Sequence, residues 1–249
     1  TPVAAGANLS NYLNANIGDL TNKGFEFEFN AIPVQTRDWN WTLGFNATFN
    51  ETKISRLTTD DERADYFGIT TGGIAGGTGN MVQIHQTGHA PNSFFVYKQV
   101  YDTDGKPIEG LYVDLNKDGK IDDNDKYCFH KAAPDWTFGF NTQVAYKQWT
   151  LAMSAHSNVG NYVYNNIASN GDLLTDLWAN NFVNNRYSTA KEHNFSSYAQ
   201  YWSDLYVENA SFLKIDNITL SRSFSFGQKT PMSFNVFATV QNVACFTKY

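Results

Sequence analysis

Apolar and polar side chains alternate one by one over several stretches of this chain. Trp136, Phe138, Phe140, Val144 and Tyr146 share one parity, and Thr137, Gly139, Asn141, Gln143 and Lys147 take the other. After Lys147-Gln148 the pattern resumes as Trp149, Leu151, Met153 and Ala155 against Thr150, Ser154 and His156. Side chains of a strand alternate faces, so this spacing predicts a hairpin with one apolar and one polar side. The same period appears in Phe25, Phe27 and Phe29, and again in Trp39, Trp41, Leu43, Phe45, Ala47 and Phe49. Near the end it returns in Ile218, Leu220, Phe224 and Phe226, and then in Met232, Phe234, Val236, Ala238 and Val240. Phe237 breaks this last pattern by standing on the polar parity.

The apolar side of the hairpin at residues 136–153 begins and ends in Trp or Tyr, as where a wall crosses a lipid bilayer between aromatic girdles. Three connections are short, at residues 34–38, 146–148 and 227–231. The others, at 55–80, 102–135 and 158–210, are long and polar. Membrane barrels of this kind have short turns on one side and long loops on the other. Placing all short turns on one side leads to two further strands, at residues 81–86 and 94–101, divided by Gly88-His89-Ala90-Pro91-Asn92. The expected fold is all-β: an antiparallel transmembrane β-barrel segment of about eight strands with long extracellular loops.

Composition fits that picture. Of 249 residues, 16% are aromatic and only 17% are charged. No run approaches the ~20 consecutive apolar residues of a membrane helix, so strands must make any crossing. A half-polar strand also keeps mean hydropathy low, here −0.43. The net charge of −6 argues against nucleic acid, which needs clustered Lys and Arg. Cys128 and Cys245 match no metal or redox spacing and read as isolated packing thiols, with a pairing between them left open. Thr1-Pro2-Val3-Ala4 lacks the features of a signal peptide, and residues 245–249 follow directly on a strand pattern. A segment of a longer exported protein is expected.

One stretch carries metal chemistry. Residues 114–125 place oxygen side chains at the spacing of a calcium loop, with Gly119 at the sharp turn and Ile121 behind it. Asp114, Asn116 and Asp118 would supply side-chain oxygens, Lys120 its backbone carbonyl, Asp122 a contact through water, and Asp125 the closing carboxylate. A solvated acidic turn is the plainer alternative. The five histidines are scattered without HExxH or a Cys-His pair, so no catalytic constellation emerges and no enzyme is expected. Glu26 and Glu28 are strand neighbours on one face and read as lining of a wet interior. The glycine cluster at residues 72–79 lacks a phosphate loop's Lys-Ser/Thr and reads as a loop tip. Residues 172–185 have Leu173, Leu174, Leu177 and Trp178 at helical spacing, which predicts a short helix with Asp172 as its N-cap.

With these residues in view, the chain resembles the C-terminal barrel region of SusC/RagA-family TonB-dependent outer-membrane transporters of Bacteroidetes. The resemblance rests on Thr21-Asn22-Lys23-Gly24-Phe25-Glu26, the 114–125 loop, Ala133-Pro134-Asp135-Trp136-Thr137-Phe138-Gly139-Phe140-Asn141, and the stretch from Tyr206 through Ser211-Phe212-Leu213-Lys214-Ile215 to Leu220. It implies a Gram-negative outer-membrane location and a barrel of about 22 strands closed by a plug. It also implies a SusD-like surface lipoprotein as lid, TonB as energy relay, and glycans or peptides as cargo. This chain, with no plug of its own, would supply wall, lumen lining and outer loops over residues 1–249. Where many members carry Tyr-Thr-Phe, this chain has Arg222-Ser223-Phe224, with an Arg on the lipid-facing parity. The competing expectation is a soluble calcium-braced carbohydrate-binding β-sandwich, which would bury its apolar faces against each other.

Overall fold

The computed structural model describes residues 18–57, 68–76, 79–227 and 232–249. Along them the strands are β1 (Asp19–Gln35), β2 (Trp39–Arg56), β3 (Ile69–Gly73), β4 (Met81–His85), β5 (Ser93–Tyr97), β6 (Gln99–Tyr101) and β7 (Pro107–Tyr112). They continue with β8 (Lys126–Lys131), β9 (Trp136–Tyr146), β10 (Trp149–Val159), β11 (Tyr162–Tyr164), β12 (Val207–Asn209), β13 (Phe212–Phe226) and β14 (Met232–Thr247). Two short helices, α1 (Asn166–Gly171) and α2 (Ala190–His193), lie between β11 and β12.

Six long strands form one antiparallel wall in the order β1-β2-β9-β10-β13-β14. The shortest, β9 and β10, have 11 residues each, and about 9–11 suffice for a tilted bilayer crossing. The inner strands β9 and β10 pair along their length with a neighbour on each side, as hydrocarbon demands. The apolar faces stand uncovered. Leu151 is 48% exposed, Phe25 57% and Phe234 51%, while Phe138, Phe140 and Met153 are only half-buried among their own row. No second layer of described residues covers them, so the sandwich alternative fails.

The wall has six strands, not the eight expected. Residues 81–86 and 94–101 do not cross: β2 pairs directly with β9, from Trp39↔Tyr146 to Phe49↔Trp136. Keeping the short turns on one side requires only an even number of crossings between β2 and β9, and zero satisfies that. β4 and β5 have five residues each, and Phe94, Phe95 and Val96 are buried in succession, which no half-lipid strand permits. They belong to a separate sheet, β3-β4-β5-β8. The turn at residues 88–92 exists, but it sits at the far end of β2: Gly88 N donates to the Ile54 carbonyl (2.8 Å), and Ile54 N donates to that of His89 (2.9 Å). Of the turn expected at 227–231, residues 228–231 lie outside the described residues, as do Gly77 and Thr78 of the glycine cluster and the opening Thr1-Pro2-Val3-Ala4.

Bulges keep the faces in phase. In β13, Leu213 and Ile215 are apolar at odd positions, whereas Ile218, Leu220, Phe224 and Phe226 are apolar at even ones. The register slips at that break, with Ala155↔Ile215 followed by Ser154↔Asn217. Asp216 is the extra residue, so all of these side chains reach the same face. Opposite, β14 slips between Gln241 and Ala244. In β1 the slip between Ala31 and Val34 takes in Pro33, which has no amide to offer the ladder.

Two aromatic rows bound the outward face. Trp39 and Tyr146 lie 4.4 Å apart beside Trp149 at the short-turn end, and Phe49 and Trp136 lie 5.1 Å apart at the other. The ten-residue step from Trp136 to Tyr146 spans about 34 Å along the strand. With barrel tilt that becomes about 25 Å, the height of an apolar band. Thr142, a hydroxyl on this face, is satisfied locally: the Trp41 indole donates to it (2.9 Å) and it donates to the Thr42 carbonyl (3.1 Å). Replacing Phe140, at mid-height, by Arg should cost about 2–4 kcal/mol in a bilayer. Gln143→Arg on the opposite face should leave stability nearly unchanged. Urea unfolding of the intact protein in lipid vesicles measures both.

Candidate functional site: the polar face and its cap

The polar side of the wall is built mainly from neutral amides and hydroxyls. Two cross-strand pairs define its middle, Asn46↔Gly139 and Gly44↔Asn141. Each Asn lies flat over the Gly opposite. A Cβ added at Gly139 would stand 2.7 Å from the Asn46 amide, and one at Gly44 2.6 Å from that of Asn141. These glycines therefore keep the wall thin and its amides in place. On β1, Glu26 and Glu28 face the same side opposite Thr48 and Asn46, and Asn30 donates to Glu28 at 2.7 Å.

The bulge at Asp216 adds a charged group. His156 Nδ1 and Asp216 Oδ2 are 2.7 Å apart, and the imidazole meets the Phe212 ring edge-on at 5.3 Å. Directly below, Asn217 donates to Ser154 Oγ at 2.6 Å. Sequence reasoning left His156 among scattered histidines and did not single out Asp216. The phase break between Ile215 and Ile218 was the available signal.

Above the wall, the two long excursions fold into a single cap. Val82, Phe94 and Val96 come from the β2–β9 excursion and Val207 from the β10–β13 excursion, yet the four form one buried cluster. Trp202 and Tyr164 pack on it, and Tyr97 N donates to the Trp202 carbonyl at 2.7 Å. Buried polar groups stitch the same seam. Gln200 accepts from Gly110 N (3.0 Å) and the Tyr112 hydroxyl (2.8 Å), and Asp204 accepts from Gln99 N (3.0 Å) and the Tyr127 hydroxyl (2.8 Å). Burial, then the Asp204 hydrogen bond, pushes the Tyr127 phenol well above its usual range. Asp172 is 2% exposed and gathers His193 Nδ1 (2.6 Å), the Tyr206 hydroxyl (2.6 Å) and Thr189 Oγ1 (3.2 Å). It therefore acts as a hub, not as the N-cap expected of it. The run Leu174–Asn181 is a 3-10 helix, and the capped helix is α1, where Asn165 accepts from Ala168 N at 2.9 Å.

No protein-family profile matches the chain. It is 40% identical to the TonB-dependent receptor SusC of Bacteroides thetaiotaomicron, over 99% of this chain and 25% of SusC. A TonB-dependent receptor of Formosa agariphila is 26% identical over 94% of this chain and 25% of its own length. The solved RagAB peptide transporter superposes with a TM-score of 0.68 at 21% identity, covering 94% of this chain and 26% of that one. In sequence and fold, this chain is of the SusC/RagA type of TonB-dependent receptor. It spans about a quarter of the length of the curated relatives it matches.

In this receptor segment the 114–125 loop is closed by its own amides. Asp114 accepts from Lys117 N (2.6 Å) and Gly119 N (2.8 Å), and Asn116 and Asp118 bond each other at 3.0 Å. Asp118 accepts from Lys120 N and Asp122 from Asn124 N, both at 2.8 Å. Asp125, fully buried, accepts from Leu115 N (2.8 Å), Asn116 N (3.3 Å) and Asp122 N (3.0 Å). The donors are all oxygen, as calcium prefers, but among the described residues no three acidic or imidazole groups gather to enclose an ion. Cys128 and Cys245 are both free; burial raises the Cys128 thiol to about 11, and it donates to Gln86 Oε1 at 3.0 Å.

Cap stability should depend on acid. The Asp122 amide, helped by those of Asn116 and Leu115, holds the Asp125 carboxyl below its ordinary range. Burial pushes Glu109 up, but the amides of Tyr198, Ser197 and Ser196 together outweigh it and leave the carboxyl lowered. Depressed carboxyls contribute stability that is full above the ordinary range and lost as pH falls through the folded values. Protease resistance of the cap in the intact receptor should therefore hold at neutral pH and fall below about pH 4. Glu109→Gln should lower it at neutral pH.

Proposed function

We propose that the receptor containing this segment imports glycans across the outer membrane with energy relayed by TonB. This chain supplies wall, lumen lining and outer cap. The carrying observation is the six-strand wall itself, with one face uncovered and apolar and the other lined by hydroxyls and amides. Neutral donors and acceptors such as Thr42, Asn46, Asn141, Gln143, Thr150 and Thr219 suit uncharged polyols, which ask for hydrogen bonds and no counter-charge. The 40% identity to SusC supports the same reading. A peptide cargo is the second reading, favoured by the fold match to the RagAB peptide transporter. The partners in this proposal are a SusD-like surface lipoprotein over the cap and TonB below.

Deleting the gene and measuring uptake over panels of oligosaccharides and peptides tests it. Loss confined to a glycan class is the expected outcome. Loss confined to peptides overturns the cargo, and unchanged uptake overturns import.

Calcium at residues 114–125 is a separate proposal, supported by the oxygen spacing and by the left-handed turn at Gly119 (φ +83°). Calorimetry on the intact receptor should show one-site binding that Asp114→Ala and Asp118→Ala abolish. Absence of heat in the unaltered protein leaves an acidic turn braced by amides.

A further inference from the structure

Two cations stand at the short-turn end of the outward face, Arg222 on β13 and Lys147 in the turn between β9 and β10. One cross-sheet row runs Trp39↔Tyr146, Tyr146↔Trp149, Trp149↔Arg222 and Arg222↔Val236. Register puts Arg222 on the face of Leu220, Phe224 and Phe226, one pairing step from the turn at Lys147-Gln148. Its guanidinium lies over two rings, 5.0 Å from the Trp149 centroid and 4.7 Å from that of Phe224. Lys147 Nζ lies 5.2 Å from the Tyr146 centroid in the same row. Among the described residues neither cation has a carboxylate within ion-pair distance. Asp38, in the adjoining turn, meets Lys147 through its carbonyl oxygen, which accepts from Lys147 N at 2.8 Å.

A lipid-facing Arg is costly at the bilayer centre and nearly free at its boundary. Stacking on two rings uses the faces of the guanidinium and leaves its edge N–H groups, which match a phosphate fork to fork. The rings around it form the apolar floor on which acyl chains would rest. We propose that Arg222 and Lys147 hold the phosphate of a glycerophospholipid in the leaflet at the short-turn side of the wall. The site rests on the membrane location of the preceding section and is independent of cargo. Charge complementarity selects the occupant: two unpaired cations inside an aromatic belt call for an anion that carries its own hydrocarbon.

Native mass spectrometry of the intact receptor, equilibrated with phosphatidylglycerol, diacylglycerol or inorganic phosphate, tests this. Phosphatidylglycerol should be retained and diacylglycerol, which lacks the phosphate, should not. Excess inorganic phosphate should fail to displace the lipid. Arg222→Gln should lower retention about fivefold, the effect of one interfacial cation, and Lys147→Gln should lower it similarly. Arg222→Lys keeps the charge without the fork and should fall between. Equal retention of diacylglycerol, unchanged retention in Arg222→Gln, or displacement by inorganic phosphate overturns the site. The unaltered protein's lipid ranking stands even if a variant fails to fold. Heat-modifiable migration and outer-membrane fractionation check the membrane reading without added lipid. If they fail, both readings fall, whereas a failure of the lipid series alone removes only the site.

Discussion

Peptide groups in hydrocarbon have no water to turn to, so each must find a partner within the protein. That requirement makes the six-stranded ladder continuous and fixes much else in the segment. A continuous ladder imposes strict alternation of faces, and alternation leaves no tolerance for a slipped residue. Among the slips that do occur, those at Pro33 and at Asp216 fall where the sequence changes phase. Each restores apolar side chains to the outer surface. The Asp216 bulge also sets a carboxylate against His156 on the polar surface. A device needed for register thus supplies a carboxylate–imidazole hydrogen bond on that part of the wall.

The wall was readable because period two is a strong signal over 11 or more residues. Trp136 through Met153 specifies its own hairpin, its faces and its short turn. Cap strands defeated the same reading for a physical reason. β4 and β5 have only five residues each and β5 is buried on both faces, and so short a run carries little distinguishing period. Counting crossings by parity could not help, since zero and two place the turns alike. Asp172 was misassigned because local spacing resembled a helix start, whereas its partners, His193 and Tyr206, lie 21 and 34 residues away in sequence. The 114–125 stretch reads from its oxygen spacing as a calcium loop. The fold adds that its carboxylates accept from the loop's own amides, which local spacing does not show.

Wall and cap solve opposite problems with the same residues. On the wall, large apolar side chains are left outside and small neutral polar ones line the interior. In the cap, Val82, Phe94, Val96 and Val207 are hidden and the polar groups form a closed network among Gln99, Gln200, Ser203 and Asp204. The surrounding medium explains the inversion: the wall presents one side to lipid tails, whereas the cap stands clear of lipid and must make its own core.

Because that core is assembled from both excursions, neither is a freestanding module. Exchanging one of them between relatives would strand half of a hydrophobic nucleus and orphan the carboxylates and amides that its counterpart satisfies. The two excursions should therefore be inherited as a matched pair of insertions, and divergence in one should be tolerated only where the other has changed in step.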